Sequence, residues 1–275
     1  MSEQITVVIP VKNEAGNIIP CIEAAKALGP VVVVDSGSED ATLRLAGDAG
    51  ADVLNFEWNG KFPKKRNWVL MNYEFETEWI LFLDADEFLT EAFCAEVKAV
   101  LPETAHSGFW LNYQNHFLGE VLSYGDRMRK LALFRIGAGE YERIEEDSWS
   151  HLDMEVHEHP VIKGTVGELK SQIVHLDYRG IDHWIAKHNA YSTWEANRYR
   201  ALQGSGAAGW KKLNNRQYKK YRSLPQWWFA PAYFIASYIA RRGFMDGRRG
   251  LHFALLKAWY FYVIRLKIKN DIRAQ

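Results

Sequence analysis

The sequence predicts an α/β fold built around a largely parallel sheet. Over the first ninety residues, short apolar runs rich in Val and Ile alternate with segments whose apolar residues recur at helical spacing. Polar loops, several of them containing Gly or Asp, follow the apolar runs. This alternation is typical of parallel strands joined by right-handed helical crossovers. A hydrophobic share of 48% is enough for a sizeable core.

The predicted elements follow one another in a regular order. Strands are expected at 5–10, 31–34, 51–55 and 79–83, with helices between them at 17–28, 40–49 and 62–72. From residue 107 the pattern changes to an antiparallel extension of the sheet, with shorter strands expected at 108–113, 130–136, 160–163 and 173–175. A helix is expected over 181–202, and 204–209 forms a glycine-containing break.

The chain divides into two parts of opposite charge. Residues 1–197 hold 17 Lys and Arg against 32 Asp and Glu, a balance of −15, whereas residues 198–275 hold 17 against 2, a balance of +15. We therefore expect a domain over 1–203 and a basic helical region over 204–275.

The basic region also contains two aromatic-rich apolar runs, at 227–240 and 251–264. Both are shorter than the roughly 20 residues that span a bilayer. Trp and Tyr beside Lys and Arg favour contact with an anionic membrane surface. The alternative is a buried helical hairpin that caps the domain. No nucleic-acid partner is expected, because no recognised binding motif accompanies the charge.

The two cysteines, Cys21 and Cys94, argue against a disulfide scaffold and fit a reducing compartment. The first residues lead directly into the first predicted strand, without the basic and apolar segments of a signal peptide. We therefore expect the protein in the cytoplasm.

Two carboxylates, Asp84 and Asp86, follow the strand predicted at 79–83. Alternate side chains of an extended segment point the same way, so both carboxylates can converge on one point. Adjacent anions repel each other unless a cation or a proton lies between them. Oxygen ligands of this kind suit Mg²⁺ or Mn²⁺. The alternative is a solvated loop in which Asp86 or Thr90 caps the next helix.

Four motifs in this order resemble the nucleotide-diphospho-sugar glycosyltransferases of family 2. They read Val7-Val-Ile-Pro-Val-Lys-Asn-Glu14, Val31-Val-Val-Val-Asp-Ser-Gly-Ser-Glu-Asp-Ala-Thr42, Gly60-Lys-Phe-Pro-Lys-Lys-Arg-Asn67 and Phe82-Leu-Asp-Ala-Asp-Glu87. The resemblance covers about residues 4–180. It implies a GT-A fold, a Rossmann-like mixed sheet flanked by helices, followed by a helical, basic and aromatic-rich extension. Residues 61–67, 156–158 and 243–247 look most like the branch that contains lipopolysaccharide core glucosyltransferases.

The resemblance implies a set of donor-binding residues. These are Pro10, Asn13, Glu14, Asp35, Lys65, Arg66 and Asp84. Asp35 would accept a hydrogen bond from a uracil ring, and the alternative for Asp35 is a turn or a helix cap. Lys65 and Arg66 would neutralise the diphosphate, and their alternative is a solvated basic helix end.

The resemblance also implies a metal ion and further phosphate contacts. Mg²⁺ or Mn²⁺ held by Asp84 and Asp86 would bridge the two phosphates and stabilise the departing nucleoside diphosphate. Arg127, Arg129 and Lys130 are further candidates for contact with phosphates or an anionic acceptor.

Family 2 enzymes invert the anomeric centre by direct displacement, which requires a base for the acceptor hydroxyl. We assign this role to Glu158, with Asp153 and Glu155 as rivals. His157 is expected to be a third metal ligand or a diphosphate contact, and His175 is the alternative ligand.

These expectations describe an inverting transferase that moves a hexose from a UDP-sugar to a lipopolysaccharide core or another lipid-linked glycan. Such an enzyme would work peripherally at the inner face of the bacterial inner membrane. One alternative is a nucleotidyltransferase of related fold, although residues 11–15 lack the glycines of its first loop. The other is a non-catalytic module that binds glycans or membranes.

Overall fold

The computed structural model describes residues 5–150, 160–176 and 179–270. The chain forms two compact units, the first containing Met1–His116 and Arg127–Leu176, the second Phe117–Asp126 and Asp177–Gln275. The boundary expected at residue 203 therefore lies inside the second unit. The reason is that the helix Gly180–Gly204, expected to close the first domain, packs against the last helix, Gly247–Lys269.

The strands follow the predicted order along the chain. They are β1 (Ile5–Val11), β2 (Val31–Asp35), β3 (Asp52–Asn55), β4 (Trp79–Phe82), β5 (Glu87–Phe88), β6 (Gly108–Phe117), β7 (Glu120–Leu122), β8 (Met128–Arg135), β9 (Gly139–Tyr141), β10 (Pro160–Ile162) and β11 (Val166–His175). β7 belongs to the second unit. The all-valine segment of β2 is buried along its length, as expected for a strand covered on both faces.

The main sheet of the first unit is mixed, with the strand order β3-β2-β1-β4-β8-β6-β11-β5. β3, β2, β1 and β4 run parallel, and β8 is antiparallel to both β4 and β6. The expected antiparallel extension is only partly correct, since β11 runs parallel to β6. The chain passes through β8, β9 and β10 between these two strands, which gives it room for the crossover that parallel pairing requires. β10 pairs with β9 in a separate two-stranded sheet.

Helices cover this sheet, as the alternating pattern predicts. They are α1 (Ile18–Ala25), α2 (Thr42–Asp48), α3 (Lys65–Asn72) and α4 (Glu91–Val100). α1 buries Ile18 and Ile22, one turn apart, against the core that β1, β2 and β4 supply. The first unit is thus an α/β fold of the expected class.

The second unit is mainly helical. Its helices are α5 (Gly180–Gly204), α6 (Gly206–Lys211), α7 (Asn215–Ser223), α8 (Phe229–Phe234), continued by a π-helical turn (Ile235–Ala240), a 3₁₀ turn (Gly243–Asp246) and α9 (Gly247–Lys269). Leu202, Tyr221, Leu224, Tyr260 and Ile264 form its core. None of the helices in the described residues has the length and hydrophobicity needed to cross a bilayer.

Candidate functional site

Three parallel strands bring the sequence motifs to one edge of the sheet. β1, β2 and β4 pair side by side in the register Ile9 with Val33 and Val7 with Leu81. The loops that follow them carry the motifs at 12–14, 36–42 and 84–87. In sheets of this kind, ligands bind beyond the carboxyl ends of the strands.

Asp35 ends β2 and is almost completely buried. One of its carboxylate oxygens accepts hydrogen bonds from the backbone N–H groups of Gly37 and Ser38, at 2.9 and 2.8 Å. The other accepts from the Ser38 hydroxyl. In this structure the Asp35 side chain therefore forms a turn, which was the alternative to uracil binding. Its hydrogen bonds hold the loop that follows β2 in place.

The loop after β1 is tied to the loop after β2. Asn13 has a φ of +56°, donates its N–H to the Ser38 hydroxyl at 2.8 Å, and accepts from the Glu39 N–H at 2.8 Å. The backbone N–H of Glu14 donates to the Thr42 hydroxyl at 2.8 Å. Pro10 lies in β1, where its register partner is Val34. The structure thus brings Pro10, Asn13, Glu14 and Asp35 together at the carboxyl ends of β1 and β2.

Lys65 and Arg66 begin α3 and turn toward the same edge. Lys65 is buried and donates to the Val11 carbonyl oxygen at 2.8 Å, at the end of β1. Arg66 donates to one carboxylate oxygen of Asp84 at 2.7 Å. Lys65 and Arg66 therefore do not form a solvated basic helix end, because both side chains make contacts within the protein.

Asp84 is held between two cations. Arg66 binds one of its oxygens, and the ammonium of Lys130 binds the other. Lys130 also binds Glu87, whose side chain is fully buried and accepts from the Asp84 backbone N–H at 3.1 Å. Burial disfavours the charged ammonium, but Asp84 and Glu87 outweigh it and raise the pKa of Lys130. Lys130 therefore remains a cation at the strand edge.

Asp86 has a different neighbour, the imidazole of His175. The Nε2 atom of His175 lies 3.5 Å from a carboxylate oxygen of Asp86. Antiparallel pairing of β5 with β11 places His175 opposite Glu87, which accounts for this contact across 89 positions of the chain. Burial alone would lower the pKa of His175, but the hydrogen bond with Asp86 and its charge raise it.

Asp86, Glu87 and His175 form a group that can hold a metal ion. One ligand atom from each lies within 4.8 Å of the others. The 3.5 Å separation between the Asp86 carboxylate and the His175 imidazole is short enough for both groups to hold one ion. Carboxylate and imidazole donors suit Mn²⁺, and carboxylates suit Mg²⁺. His175 is the alternative ligand named from the sequence, whereas both Asp84 oxygens bind the cations described above.

Two contacts that hold the beginning of α3 in place were not predicted from the sequence. Lys64 and Glu146 form a buried ion pair at 2.6 Å, and the Asn67 amide exchanges two hydrogen bonds with the backbone of Tyr141. Both contacts fasten residues 141–146 to the beginning of α3. No sequence signal links positions more than 70 residues apart, although the motif Gly60–Asn67 contains one side of each contact.

The proposed base and its neighbours lie outside the described residues. These are Glu158, its rivals Asp153 and Glu155, and the proposed ligand His157. The described chain resumes at Pro160, whose register partner in β9 is Tyr141. The ring of Tyr141 lies 5.4 Å from the guanidinium carbon of Arg66.

The strand edge therefore places two cations beside a group that can hold a divalent ion. Arg66 and Lys130 are both paired with Asp84 in a setting where water is partly excluded. Guanidinium and ammonium groups can also bind phosphate oxygens, so the edge is suited to a phosphorylated ligand.

Comparison with known proteins supplies the family. The model of Glycosyl transferase family 2 matches residues 6–151, more than half of the chain. The protein belongs to glycosyl transferase family 2 and is a glycosyltransferase, which confirms the resemblance drawn from the four motifs. The mixed sheet flanked by helices and the helical second unit agree with the GT-A fold that the resemblance implies. It favours a glycosyltransferase over both alternatives, the nucleotidyltransferase and the non-catalytic module.

Two curated relatives match nearly the whole chain. An uncharacterized glycosyltransferase of Rickettsia felis is 26% identical over 98% of this chain and 91% of its own length. The lipopolysaccharide core biosynthesis glycosyltransferase LpsC of Rhizobium meliloti is also 26% identical, over 93% of this chain and 88% of its own length.

Solved structures include two similar proteins. TarS of S. aureus, residues 1–349, aligns with a TM-score of 0.43 and 16% identity, covering 99% of this chain and 92% of that one. Glucosyl-3-phosphoglycerate synthase of Mycobacterium tuberculosis, in complex with Mn²⁺, UDP and glucosyl-3-phosphoglycerate, aligns with a TM-score of 0.33 and 23% identity. That alignment covers 39% of this chain and 43% of the synthase chain.

Proposed function

We propose that the protein transfers a hexose, with inversion, from a UDP-sugar to a lipopolysaccharide core or another lipid-linked glycan. Family membership establishes glycosyl transfer, and the similarity to LpsC over most of both chains supports the acceptor class. The observation that carries the proposal is the set of paired charges at the carboxyl edge of β1, β2 and β4. It combines the cations Arg66 and Lys130 with a carboxylate–imidazole pair.

The donor diphosphate is assigned to Arg66 and Lys130. Both cations are already held at the edge by Asp84, so little side-chain entropy is lost when the phosphates arrive. Lys65 keeps the end of β1 in place through the Val11 carbonyl. Asp35 and Asn13 shape the two loops that would receive the nucleoside, and Asp35 is proposed to accept from the uracil N3–H.

A divalent ion, Mg²⁺ or Mn²⁺, is assigned to Asp86 together with a histidine, either His175 or His157. The distance between Asp86 and His175 supports the first of these histidines. When bound, such an ion adds positive charge beside the leaving nucleoside diphosphate. In this arrangement Asp84 contributes chiefly by orienting Arg66 and Lys130.

The base that accepts the proton of the acceptor hydroxyl is assigned to Glu158. Two residues further on, Pro160 pairs with Tyr141, whose ring lies beside the Arg66 guanidinium. This proximity supports a base near the donor diphosphate. Direct displacement requires the base on the face of the sugar opposite the leaving group.

The acceptor class sets the location of the enzyme. A lipid-linked glycan is held in a membrane, so the protein is proposed to work at the anionic inner face of the bacterial inner membrane, as a peripheral protein.

A donor screen tests the proposal. Nucleotide release is measured with UDP-, GDP- and dTDP-sugars, with Mn²⁺ or Mg²⁺, in the presence of lipopolysaccharide core acceptors. We expect release and transfer with one or more UDP-sugars, and transfer with GDP- or dTDP-sugars alone would contradict the donor assignment.

A second experiment tests the base. Glu158→Gln should lower the transfer rate by about 10²- to 10⁴-fold, because the acceptor hydroxyl loses its proton acceptor. Glu155→Gln and Asp153→Asn are the matched controls, and each should retain most of the activity. A full loss in either control, with Glu158→Gln active, would transfer the role to that rival.

A further inference from the structure

The last helix of the second unit carries apolar side chains on two opposite faces. Ala254 and Ile264 are buried on its inner face. Leu255, Trp259 and Tyr262 follow at spacings of four and three residues, and all three are exposed. A surface helix normally presents a polar outer face. From Leu255 to Tyr262 the outward stripe of α9 is apolar instead.

The preceding helical segment repeats this arrangement. Ala230 and Ser237 are buried, whereas Trp228, Ile235 and Ile239 are exposed at spacings of seven and four residues. Ile235 and Ile239 are 54% and 56% exposed, which is unusual for isoleucine in water. The outward stripe therefore extends from α8 through the π-helical turn.

The two segments pack against each other and are joined by an apolar turn. The rings of Phe229 and Tyr233 contact Phe261 of α9, with centroids 5.0 and 4.5 Å apart. In the connecting turn, Phe244 and Met245 are each 50% exposed. The exposed apolar residues thus belong to one helical pair.

Basic side chains accompany this apolar surface. Arg242 lies in the turn, and Arg248 continues the outward stripe of α9, seven residues before Leu255. The single acidic residue among positions 198–270, Asp246, is engaged in accepting from the backbone N–H groups of Ser123 and Tyr124. The surface is therefore apolar with a positive border.

We propose that this surface inserts into the headgroup region of an anionic lipid bilayer. Its members are Trp227, Trp228, Ile235, Ile239, Phe244, Met245, Leu255, Trp259 and Tyr262. Interfacial helices combine an apolar face with Lys and Arg, and Trp and Tyr are enriched at the level of the headgroups. A second copy of the chain would bring the same arginines together, whereas anionic lipids complement them.

Vesicle binding tests the proposal without depending on sugar transfer. The full-length protein is sedimented with vesicles of phosphatidylcholine, with or without phosphatidylglycerol, in the absence of donor and acceptor. We expect binding that requires the anionic lipid and weakens as salt rises. Nucleotide release measured separately would fail if the proposed function were wrong, while vesicle binding would remain.

Three variants locate the binding surface. Ile235→Glu with Ile239→Glu should weaken binding at least about tenfold, because two inserted side chains become charged. Arg242→Gln with Arg248→Gln should weaken it about fivefold for each arginine and reduce its salt dependence. Met71→Glu is the matched control, since Met71 is an equally exposed apolar residue of the first unit, and its binding should equal that of the wild type.

The same experiments can overturn the proposal. Unchanged vesicle binding by the Ile235→Glu, Ile239→Glu variant would show that the surface does not insert. Equal binding to vesicles of phosphatidylcholine alone would contradict the role of the arginines. If the wild type ignored vesicles but formed dimers that this variant abolished, the surface would be an interface between copies of the chain.

Discussion

The two units of this glycosyltransferase place their polar and apolar side chains in contrasting ways. At the strand edge of the first unit, Glu87 is fully buried and Asp84 and Lys130 are partly buried, and Lys130 forms ion pairs with both carboxylates. In the helical second unit, side chains such as Trp227 and Ile239 remain exposed, although they are mainly apolar.

The contrast shows two ways in which a fold supports function at a cost in stability. A buried charge requires partners, and those partners are the groups that bind a charged substrate. An exposed apolar surface loses the free energy that burial would provide, and it is useful only where another phase or molecule covers it.

Removing the central cation of the first unit should have the largest effect. Lys130→Met leaves Asp84 and the fully buried Glu87 without their shared ammonium. We expect a loss of about 3–5 kcal/mol in the free energy of unfolding, together with loss of sugar transfer. Urea unfolding followed by circular dichroism measures the first, and nucleotide release measures the second.

The neighbouring strand position supplies the control. Arg129 pairs with Glu168 at the surface, so Arg129→Met should cost less than about 1 kcal/mol. If Lys130→Met were as stable as Arg129→Met, the charge cluster would not be a structural centre of the first unit.

The second unit contains a comparable buried pair. Lys220 binds Glu195, whose side chain is completely buried. Lys220→Met should lower the stability by about 3 kcal/mol, while the exposed Lys219→Met should change it by no more than a few tenths. Differential scanning calorimetry measures both. Since Lys220 and Glu195 both belong to the second unit, we expect sugar transfer per folded molecule to be unchanged, and a loss of transfer would link the pair to the site.

The metal assignment makes a smaller and more specific prediction. Asp86→Asn should weaken Mn²⁺ binding in the presence of UDP at least about tenfold, because a charged ligand becomes neutral. Isothermal titration calorimetry measures the affinity. Asp48→Asn, at an exposed position paired with Arg44, is the control and should bind Mn²⁺ like the wild type. An unaltered affinity in Asp86→Asn would remove Asp86 from the metal site.

The smallest effect concerns a carboxylate that organises the backbone of the first unit. Glu96 accepts from the N–H groups of Lys170 and Ser171, at 2.8 and 2.7 Å, where β11 is irregular. Burial opposes ionisation of Glu96, but these hydrogen bonds outweigh it and lower its pKa. Glu96→Gln should therefore cost about 1 kcal/mol at neutral pH, and the exposed Glu103→Gln should cost nothing measurable.

The pH dependence of this effect has a definite sign. A carboxyl group whose pKa is lowered by folding stabilises the protein fully above its unfolded pKa of about 4.3. That contribution disappears as the pH falls through the lower pKa of the folded state. The difference between the wild type and Glu96→Gln should thus shrink on acidification, and urea unfolding at a series of pH values checks this. A difference that grew instead would contradict the assigned direction.

Much of the first unit could be predicted because its signals are local. The apolar composition of β1, β2 and β4 indicates by itself that these strands are buried, and the apolar residues of the helices between them recur at helical spacing. The parallel order of these strands then placed Asp35 and Asp84 at one edge. The antiparallel arrangement expected for β11 was wrong, since β11 pairs with β6 in parallel. The sequence of an extended segment does not specify which strand it will pair with.

The contacts of each residue at the site depend more than the fold does on strand pairings between segments far apart in the sequence. Asp84 and Asp86 look equivalent in the sequence, but β8 brings Lys130 to the first, and β11 brings His175 to the second. The position of α5 in the second unit was equally hidden, because its helical period does not reveal which partner it packs against.

By itself, then, the sequence determined the α/β class, the family and the strand edge that carries the donor motifs. Those features follow from short-range patterns of hydrophobicity and from contiguous motifs. Only the tertiary structure decided that Asp84 lies between two cations while Asp86 faces an imidazole, and that the apolar stripes of α8 and α9 point outward. The physical reason is that charge pairing and burial depend on which residues meet in space, and the partners of Asp84 and Asp86 lie up to 89 positions away along the chain.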